Sequence, residues 1–305
     1  MSRIHEALKK AAEQRAPVAA ETPEASILDV ASEVREHRQT VIVEETKPQA
    51  KAAKPLENSV PASFADISAK CVHPTWSIDP RFSVFTGLES DHSSAERFRT
   101  LRSRLSQAKD TRPLKTILIT SSVPAEGKSF VASNLAQSFI QQADRRVLLV
   151  DADLRAPRLH TALGANSTPG LTEYLRGEAN EYEVIQQGTD KNLCFIPYGS
   201  EASDPSELLS HARMRKLLAF VSPAFDWIIL DSPPVLPVHD ASVLADLCDG
   251  VLFVVRAGAT ESALAEKAVQ EFRQKNLLGV VLNGTSRGDS YGGYYDSEYK
   301  SSPAL

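Results

Sequence analysis

A short loop with the sequence EGKS, residues 126–129, carries the strongest chemical signal in the chain. It follows an apolar run at 116–120 and precedes apolar side chains at helical spacing, which indicates a turn from a strand into a helix. Small residues in such a turn let backbone N–H groups converge on phosphate oxygens. Lys128 would then reach the β- and γ-phosphates of a nucleotide, and the Ser129 hydroxyl would hold Mg²⁺.

The match to the general phosphate-loop pattern is incomplete, because Ser122 stands where that pattern has glycine. The alternative is a plain glycine-containing turn between a strand and a helix. The position of the loop and its flanking pattern favour phosphate binding. The predicted nucleotide-binding residues of the loop are Pro124, Ala125, Glu126, Gly127, Lys128, Ser129 and Phe130.

Three aspartates end two further apolar runs. Asp151 and Asp153 lie at the end of the run 146–153, and Asp231 ends the run 227–231. Carboxylates are costly at the ends of buried strands unless they face a metal or a proton-transfer site. The alternatives are helix capping and solvation for the first two acids, and a plain turn for Asp231. Together with the phosphate loop, the three acids predict a nucleotide–Mg²⁺ site.

Six apolar runs alternate with amphipathic helical stretches from about residue 91 onward. The runs are 116–120, 146–153, 193–199, 227–231, 250–255 and 279–283. Near-continuous apolar runs separated by helices are typical of a parallel sheet that is buried on both faces. Right-handed crossovers wind such a sheet into a layered α/β fold of the P-loop NTPase type, with a mostly parallel central sheet flanked by helices.

The composition divides the chain into four parts. Residues 1–16 contain a short amphipathic helix, and residues 17–90 are rich in proline and form a mostly disordered linker, with a possible short ordered piece at 82–85. Residues 91–287 form the folded P-loop domain, and residues 288–305 form a flexible tail. The tail holds four tyrosines among glycines and acids, namely Tyr291, Tyr294, Tyr295 and Tyr299.

Bulk composition excludes several classes of protein. The formal net charge of −5 gives no support to nucleic-acid binding. No apolar run approaches the roughly 18 residues that cross a bilayer, and the first residues lack the apolar core of a secretory signal. The three cysteines lie far apart and fit free thiols in a reducing compartment, and the seven histidines form no metal motif.

Three motifs in this order, TSSVPAEGKS, VLLVDADLRAPRLH and IILDSPPVLPVHDA, resemble the nucleotide-site motifs of the bacterial tyrosine autokinases, which control exopolysaccharide polymerisation and export. The resemblance continues through DPSELLS, VVRAGAT and GVVLN and covers about residues 91–299. It implies that Asp151 accepts the tyrosine proton and that Asp153 and Asp231 complete the Mg²⁺ site. It also implies that Asn283 contacts adenine, although Asn283 could equally be a simple turn residue.

Two positions depart from the family pattern. Ala125 replaces a glycine, which would cost about 1 kcal/mol if that position needs a positive φ. Phe130 replaces a common threonine, but the adjacent Ser129 keeps the hydroxyl that would hold the metal. Neither departure removes a catalytic group.

The resemblance also implies an activity and its partners. It predicts an ATP- and Mg²⁺-dependent kinase that phosphorylates Tyr291, Tyr294, Tyr295 and Tyr299 in trans within a ring-like homo-oligomer. Glu96, Arg99 and Arg102 resemble the subunit-contact motif of the family, and the alternative is a solvated helix face.

Further partners follow from the same resemblance. They are a separate integral-membrane activator and chain-length regulator, docked through the helix within residues 3–15, and a protein-tyrosine phosphatase. Membrane-surface binding by that helix is the alternative to docking. The predicted location is cytoplasmic, at the inner face of the plasma membrane, and no nucleic-acid partner is expected.

Two other classes of protein share the nucleotide motifs. A deviant-P-loop ATPase switch, used for positioning or partitioning, usually has a lysine early in the loop, at the position that Val123 occupies here. Such a switch also has no need of a tyrosine-rich tail. The other alternative is a nucleotide-binding scaffold without kinase activity. The one argument against it is that Lys128 and the three aspartates are all present.

Overall fold

A single seven-stranded sheet organises the computed structural model, which describes residues 61–86 and 92–285. In chain order the strands are β1 (Thr116–Ser121), β2 (Val147–Asp151), β3 (Gln186–Gln187), β4 (Leu193–Ile196), β5 (Trp227–Asp231), β6 (Gly250–Arg256) and β7 (Leu277–Asn283). Their order in the sheet is β3-β4-β2-β5-β1-β6-β7, and only the β3–β4 pair is antiparallel. The mostly parallel sheet predicted from the apolar runs is confirmed, whereas the two-residue edge strand β3 was not predicted.

Helices cover both faces of this sheet. Within the described residues they are α1 (Phe64–Lys70), α2 (His92–Thr111), α3 (Lys128–Ile140), α4 (Leu159–Leu163), α5 (Leu171–Arg176), α6 (Glu181–Val184), α7 (Pro205–Ser210), α8 (Ala212–Val221), α9 (Asp240–Ala245) and α10 (Ser262–Gln270). Successive side chains of a strand point to opposite faces, so Ile117 and Ile119 enter one apolar cluster and Leu118 enters the other. The P-loop helix α3 packs in the first cluster through Val131, Leu135 and Phe139.

The central strands bring the predicted acids together. Strand β5 lies between β2 and β1, and Asp151 at the end of β2 is directly in register with Asp231 at the end of β5. Ile119 of β1 is in register with Asp231 on its other side, so the loop after β1 starts at the same edge of the sheet. Ligands of open parallel sheets bind at this carboxyl edge.

The folded part of the chain begins earlier than the sequence analysis places it. Residues 61–86, assigned there to the mostly disordered linker, contain α1 and a 3₁₀ turn at Pro80–Phe82. Ile67 is fully buried, and Trp76 packs edge-on against Phe195 with 9% of its surface exposed. This segment contributes single apolar side chains to the core without a regular period, so no periodic pattern marks it.

Several predicted features lie outside the described residues. These are the helix within 1–16, the linker up to residue 60, and the tail 288–305 with Tyr291, Tyr294, Tyr295 and Tyr299. Within 61–86 and 92–285, no helix combines the length and the apolar character needed to cross a membrane.

Replacement of a buried side chain in the N-terminal segment tests its place in the fold. We expect Ile67→Ala to lower the free energy of unfolding by about 2–5 kcal/mol, because it leaves a cavity at a fully buried position. Val72→Ala is the matched control, since the Val72 side chain is 40% exposed and should cost less than about 0.5 kcal/mol. Urea unfolding measures both values, and equal small effects would contradict the packing of this segment.

Candidate active site

The phosphate loop has a left-handed backbone at two positions, of which the one at Ala125 is strained. Gly127 has φ +93° and directly precedes α3, and a Cβ atom there would come within 2.0 Å of the Asn283 Nδ2 atom. Ala125 has φ +65°, so the conformation for which the family pattern has glycine is present with an alanine in place. A left-handed conformation costs an L-residue roughly 1–2 kcal/mol. Contacts from other parts of the fold must therefore hold this loop.

Glu126 supplies the first of these contacts. Its side chain is buried, with 1% of the residue exposed, and its carboxylate accepts hydrogen bonds from the Val123 backbone N–H at 2.8 Å and from the Thr260 hydroxyl. The carboxylate is thus engaged inside the protein, where it ties the loop to the segment after β6. The contact between Glu126 and a nucleotide stays a prediction.

The ends of β6 and β7 supply the other contacts. The Arg256 guanidinium donates to the Ala125 carbonyl oxygen at 3.1 Å, and Asn283 Nδ2 donates to the Glu126 carbonyl oxygen at 2.9 Å. Asn283, predicted to contact adenine, thus holds the loop backbone here. The adenine contact itself stays a prediction.

Two wholly buried carboxylates lie side by side below the loop. Asp151 Oδ2 accepts from the Leu159 backbone N–H at 3.2 Å, while its Oδ1 and both oxygens of Asp231 have no hydrogen-bond partner of normal geometry. Burial raises the pKa of Asp231 to about 7, although the Lys128 ammonium and the Ser129 hydroxyl lower it in part. Burial also raises the pKa of Asp151 well above its usual value, and the charges of Asp231 and Asp153 add to the rise.

A cavity of about 400 Å³ lies beside these acids. Lys128, Ser129 and Asp153 line it, which brings three of the predicted site residues onto one surface. Asp153 is oriented by its own loop, because its Oδ1 atom accepts from the backbone N–H groups of Arg155 and Ala156 at 3.3 and 3.0 Å. Asp151 and Asp231 are not in the lining, since both are completely buried.

The oxygens of Ser129, Asp153 and Asp231 fit a magnesium ion whose remaining ligands would be nucleotide and water. Mg²⁺ usually takes one or two carboxylates, keeps several waters and shares phosphate oxygens. Among the described residues no three His, Cys, Asp or Glu side chains could enclose a metal alone, which agrees with that habit. The unpartnered Asp231 oxygens next to Ser129 are the observation that supports the fit, because buried acceptors without donors favour a cation.

An ion pair missed by the sequence analysis holds the segment after β2. The Arg155 Nε and Nη2 atoms bind the two carboxylate oxygens of Asp240 at 2.7 and 3.1 Å, and the Asp240 side chain is fully buried. The Ser206 hydroxyl donates to the same carboxylate. This network joins the Asp153 segment to α7 and α9. The sequence signal was the pair of motifs DPSELLS and VHDA, each of which contributes one polar residue to it.

The predicted subunit-contact motif has two different environments. Glu96 and Arg99 form an ion pair on the surface of α2, with side chains 66% and 41% exposed. Arg102 points inward instead, and its Nη1 atom donates to the Ser138 carbonyl oxygen of α3 at 2.6 Å. Arg102 therefore joins two helices of the same chain, while Glu96 and Arg99 remain accessible.

The phosphate loop, the paired carboxylates and the parallel sheet define a P-loop nucleotide-binding enzyme. Comparison with known proteins agrees, because residues 114–272 match the family described as AAA domain. Tyrosine-protein kinase YwqD of Bacillus subtilis is 38% identical over 216 residues, which cover 70% of this chain and 91% of that protein. The chain belongs to the bacterial tyrosine-kinase family, a family of protein-tyrosine kinases, as the motifs predicted.

Other relatives are longer than this chain. Tyrosine-protein kinase Etk of Escherichia coli K12 is 36% identical over 194 residues, which cover 63% of this chain but 27% of Etk. The chain likewise spans 29% of the tyrosine-protein kinase Wzc of Salmonella typhimurium. The solved kinase domain of E. coli Etk superposes with a TM-score of 0.60 at 34% identity, covering 67% of this chain and 82% of that domain.

The buried acids predict a pH dependence of stability in the nucleotide-free protein. The pKa of Asp231 is raised to about 7 in the folded chain, against about 3.9 when unfolded. Between these two pKa values the folded state holds a proton that the unfolded state has lost. The free energy of unfolding therefore falls as the pH rises from the lower value to the higher one. We expect the free energy of unfolding, measured with urea, to fall less between pH 5 and pH 8 in Asp231→Asn than in wild type. An unchanged or steeper loss in the variant would contradict the raised pKa.

Proposed function

We propose that this chain is an ATP-dependent protein-tyrosine autokinase whose acceptors are Tyr291, Tyr294, Tyr295 and Tyr299 of a sister molecule. The observation that carries the proposal is the placement of Lys128, Ser129 and Asp153 on one cavity, beside two buried carboxylates of which three oxygens have no hydrogen-bond partner of normal geometry. Membership of the tyrosine-kinase family supplies the reaction class.

The residues of the site suit phosphoryl transfer to a phenol. A bound Mg²⁺, held by Ser129, Asp153 and Asp231, would neutralise charge on the β- and γ-phosphates. Lys128 binds the same phosphates and keeps the γ-phosphoryl group in line with its acceptor. The tyrosine hydroxyl is protonated at neutral pH, because its pKa is near 10.

The transfer forms one bond and breaks one bond. The tyrosine oxygen bonds to the γ-phosphorus, and the bond between that phosphorus and the β–γ bridging oxygen breaks, which releases ADP. The tyrosine proton passes to the Asp151 carboxylate. A carboxylate with a raised pKa is a better proton acceptor than an ordinary one, and the free Oδ1 atom of Asp151 leaves a position for that proton.

The last residue that the structure describes before the tail is held by α2. Thr285, two residues after the end of β7, accepts a hydrogen bond from the Arg97 guanidinium of α2 at 2.7 Å. Tyr291 lies six positions after Thr285, so an extended chain would carry that tyrosine up to about 20 Å. The remaining acceptors lie further along, which gives the tail the reach to enter a neighbouring site.

Incubation of the full chain with Mg²⁺–ATP tests the proposal directly. We expect phosphate on the four tail tyrosines, located by mass spectrometry. Lys128→Met should reduce incorporation by at least about 100-fold, because it removes the charge that binds the transferred group. A variant with all four tail tyrosines changed to phenylalanine should hydrolyse ATP without retaining phosphate on the tail.

The same experiment separates the alternatives. Hydrolysis of ATP without any protein phosphate would favour an ATPase switch, and neither hydrolysis nor transfer would favour a scaffold. Labelled tail in wild type and unlabelled tail in Lys128→Met are both needed for the kinase assignment.

We also propose a ring-like homo-oligomer in which Glu96 and Arg99 of α2 contact the next subunit. Their exposure leaves both side chains available, whereas Arg102 stabilises the subunit from within. Arg99→Ala should reduce the mass measured by light scattering, while the exposed Arg104→Ala on the same helix should not. Arg102→Ala should in addition lower the melting temperature. An unchanged mass after Arg99→Ala would contradict this contact.

The biological setting proposed for this activity is control of exopolysaccharide polymerisation and export. The proposed partners are an integral-membrane activator and chain-length regulator, which holds the kinase at the inner face of the membrane, and a phosphatase that resets the tail. Family membership and the motif resemblance support these partners. Deletion of residues 1–16 should release the kinase from the membrane fraction of cells, and unchanged recruitment would contradict docking through that segment.

A further inference from the structure

The lining of the active-site cavity is chemically mixed. Lys128, Ser129 and Asp153 are polar, whereas Phe82, Phe130, Pro237 and Val238 are apolar. Phosphate groups gain nothing from apolar walls, whereas an aromatic ring buries its faces against them. The apolar part of the lining is therefore suited to an aromatic ring such as that of an acceptor tyrosine.

The apolar walls are held in place by the protein. Asn134 of α3 donates from Nδ2 to the Phe82 carbonyl oxygen at 2.9 Å, and its Oδ1 accepts from the Val84 backbone N–H at 2.8 Å. The Phe130 ring packs edge-on against Phe98 of α2, with ring centroids 6.0 Å apart. These contacts fix the apolar walls of the cavity, which reduces the entropy lost when a ligand binds between them.

Arg158 adds a charge to the lining of the same cavity. Of the other cations in the lining, Lys128 lies next to Asp231, and Arg155 is paired with Asp240. Arg158 is exposed, and no hydrogen bond or ion pair joins its guanidinium to any residue of the described ranges. Its charge is therefore available to a ligand.

We infer that the apolar part of the lining forms an acceptor subsite for tyrosines with acidic neighbours, and that Arg158 determines this preference. The inference rests on the proposed function and names the substrate class of its site. The tail 288–305 fits that class, because it holds Asp289, Asp296 and Glu298 against the single cation Lys300. Each of its four tyrosines has an acidic residue within two positions.

A peptide competition measures the preference without dependence on overall activity. The enzyme is the full chain with its four tail tyrosines changed to phenylalanine, so that it cannot label its own tail. One peptide has the sequence of residues 288–300, and the other replaces its three acids with asparagine or glutamine. The readout is the ratio of kcat/KM for the acidic peptide to that for the neutral peptide, which cancels any general damage to the enzyme.

We expect the parent enzyme to prefer the acidic peptide by about five- to tenfold, in the range of exposed charge pairs. Arg158→Gln should bring the ratio close to one, and Arg158→Glu should bring it below one. Arg273→Glu is the matched control, because Arg273 is an exposed arginine that is not part of the cavity lining, and it should leave the ratio unchanged.

Three results would overturn the inference. If the ratio of the two kcat/KM values is unchanged in Arg158→Glu, another group recognises the acidic residues of the peptide. The kinase assignment would stand in that case. An equal loss on both peptides with a raised KM for ATP would place Arg158 on the nucleotide instead. Failure to phosphorylate either peptide, together with an unlabelled tail in wild type, would remove the proposed function and this inference with it.

Discussion

The burial of Asp151 and Asp231 side by side is the constraint on which the rest of the site depends. Two carboxylates in register on adjacent strands, both fully buried, repel each other, and three of their four oxygens have no hydrogen-bond partner of normal geometry. Such an arrangement is tolerated because the apolar side chains of the central strands stabilise the sheet around it. The Lys128 ammonium at the start of α3 offsets part of the cost. A cation between carboxylates and phosphate would remove much of the remainder.

The strand order explains how a strained phosphate loop keeps its shape. Because β6 and β7 lie next to β1, their ends reach the loop that follows β1. Arg256 and Asn283 bind its backbone carbonyl oxygens, and Glu126 is anchored in turn by Thr260. These contacts hold Ala125 and Gly127 at positive φ. The loop is therefore preorganised, and binding energy is not spent on reshaping it.

The N-terminal segment and the P-loop helix act as one structural unit. Asn134 and Gln137 of α3 bind the backbone or side chains of residues 82–84, and this places Phe82 on the cavity. Phe85, Phe98 and Phe130 then pack in series from that segment through α2 to the phosphate loop. A change in the position of the segment would thus reach the cavity wall directly.

The sequence by itself determined the features that depend on local pattern. The apolar runs predict six strands, and the types and spacing of Lys128, Ser129, Asp151, Asp153 and Asp231 predict the site, because strand ends of a parallel sheet share one edge. Only the tertiary structure decided that Glu126 binds Thr260, that Arg155 pairs with Asp240, that Arg102 binds the Ser138 carbonyl oxygen and that residues 61–86 join the core. These contacts join residues far apart in the chain, so they leave no periodicity or spacing from which they can be read.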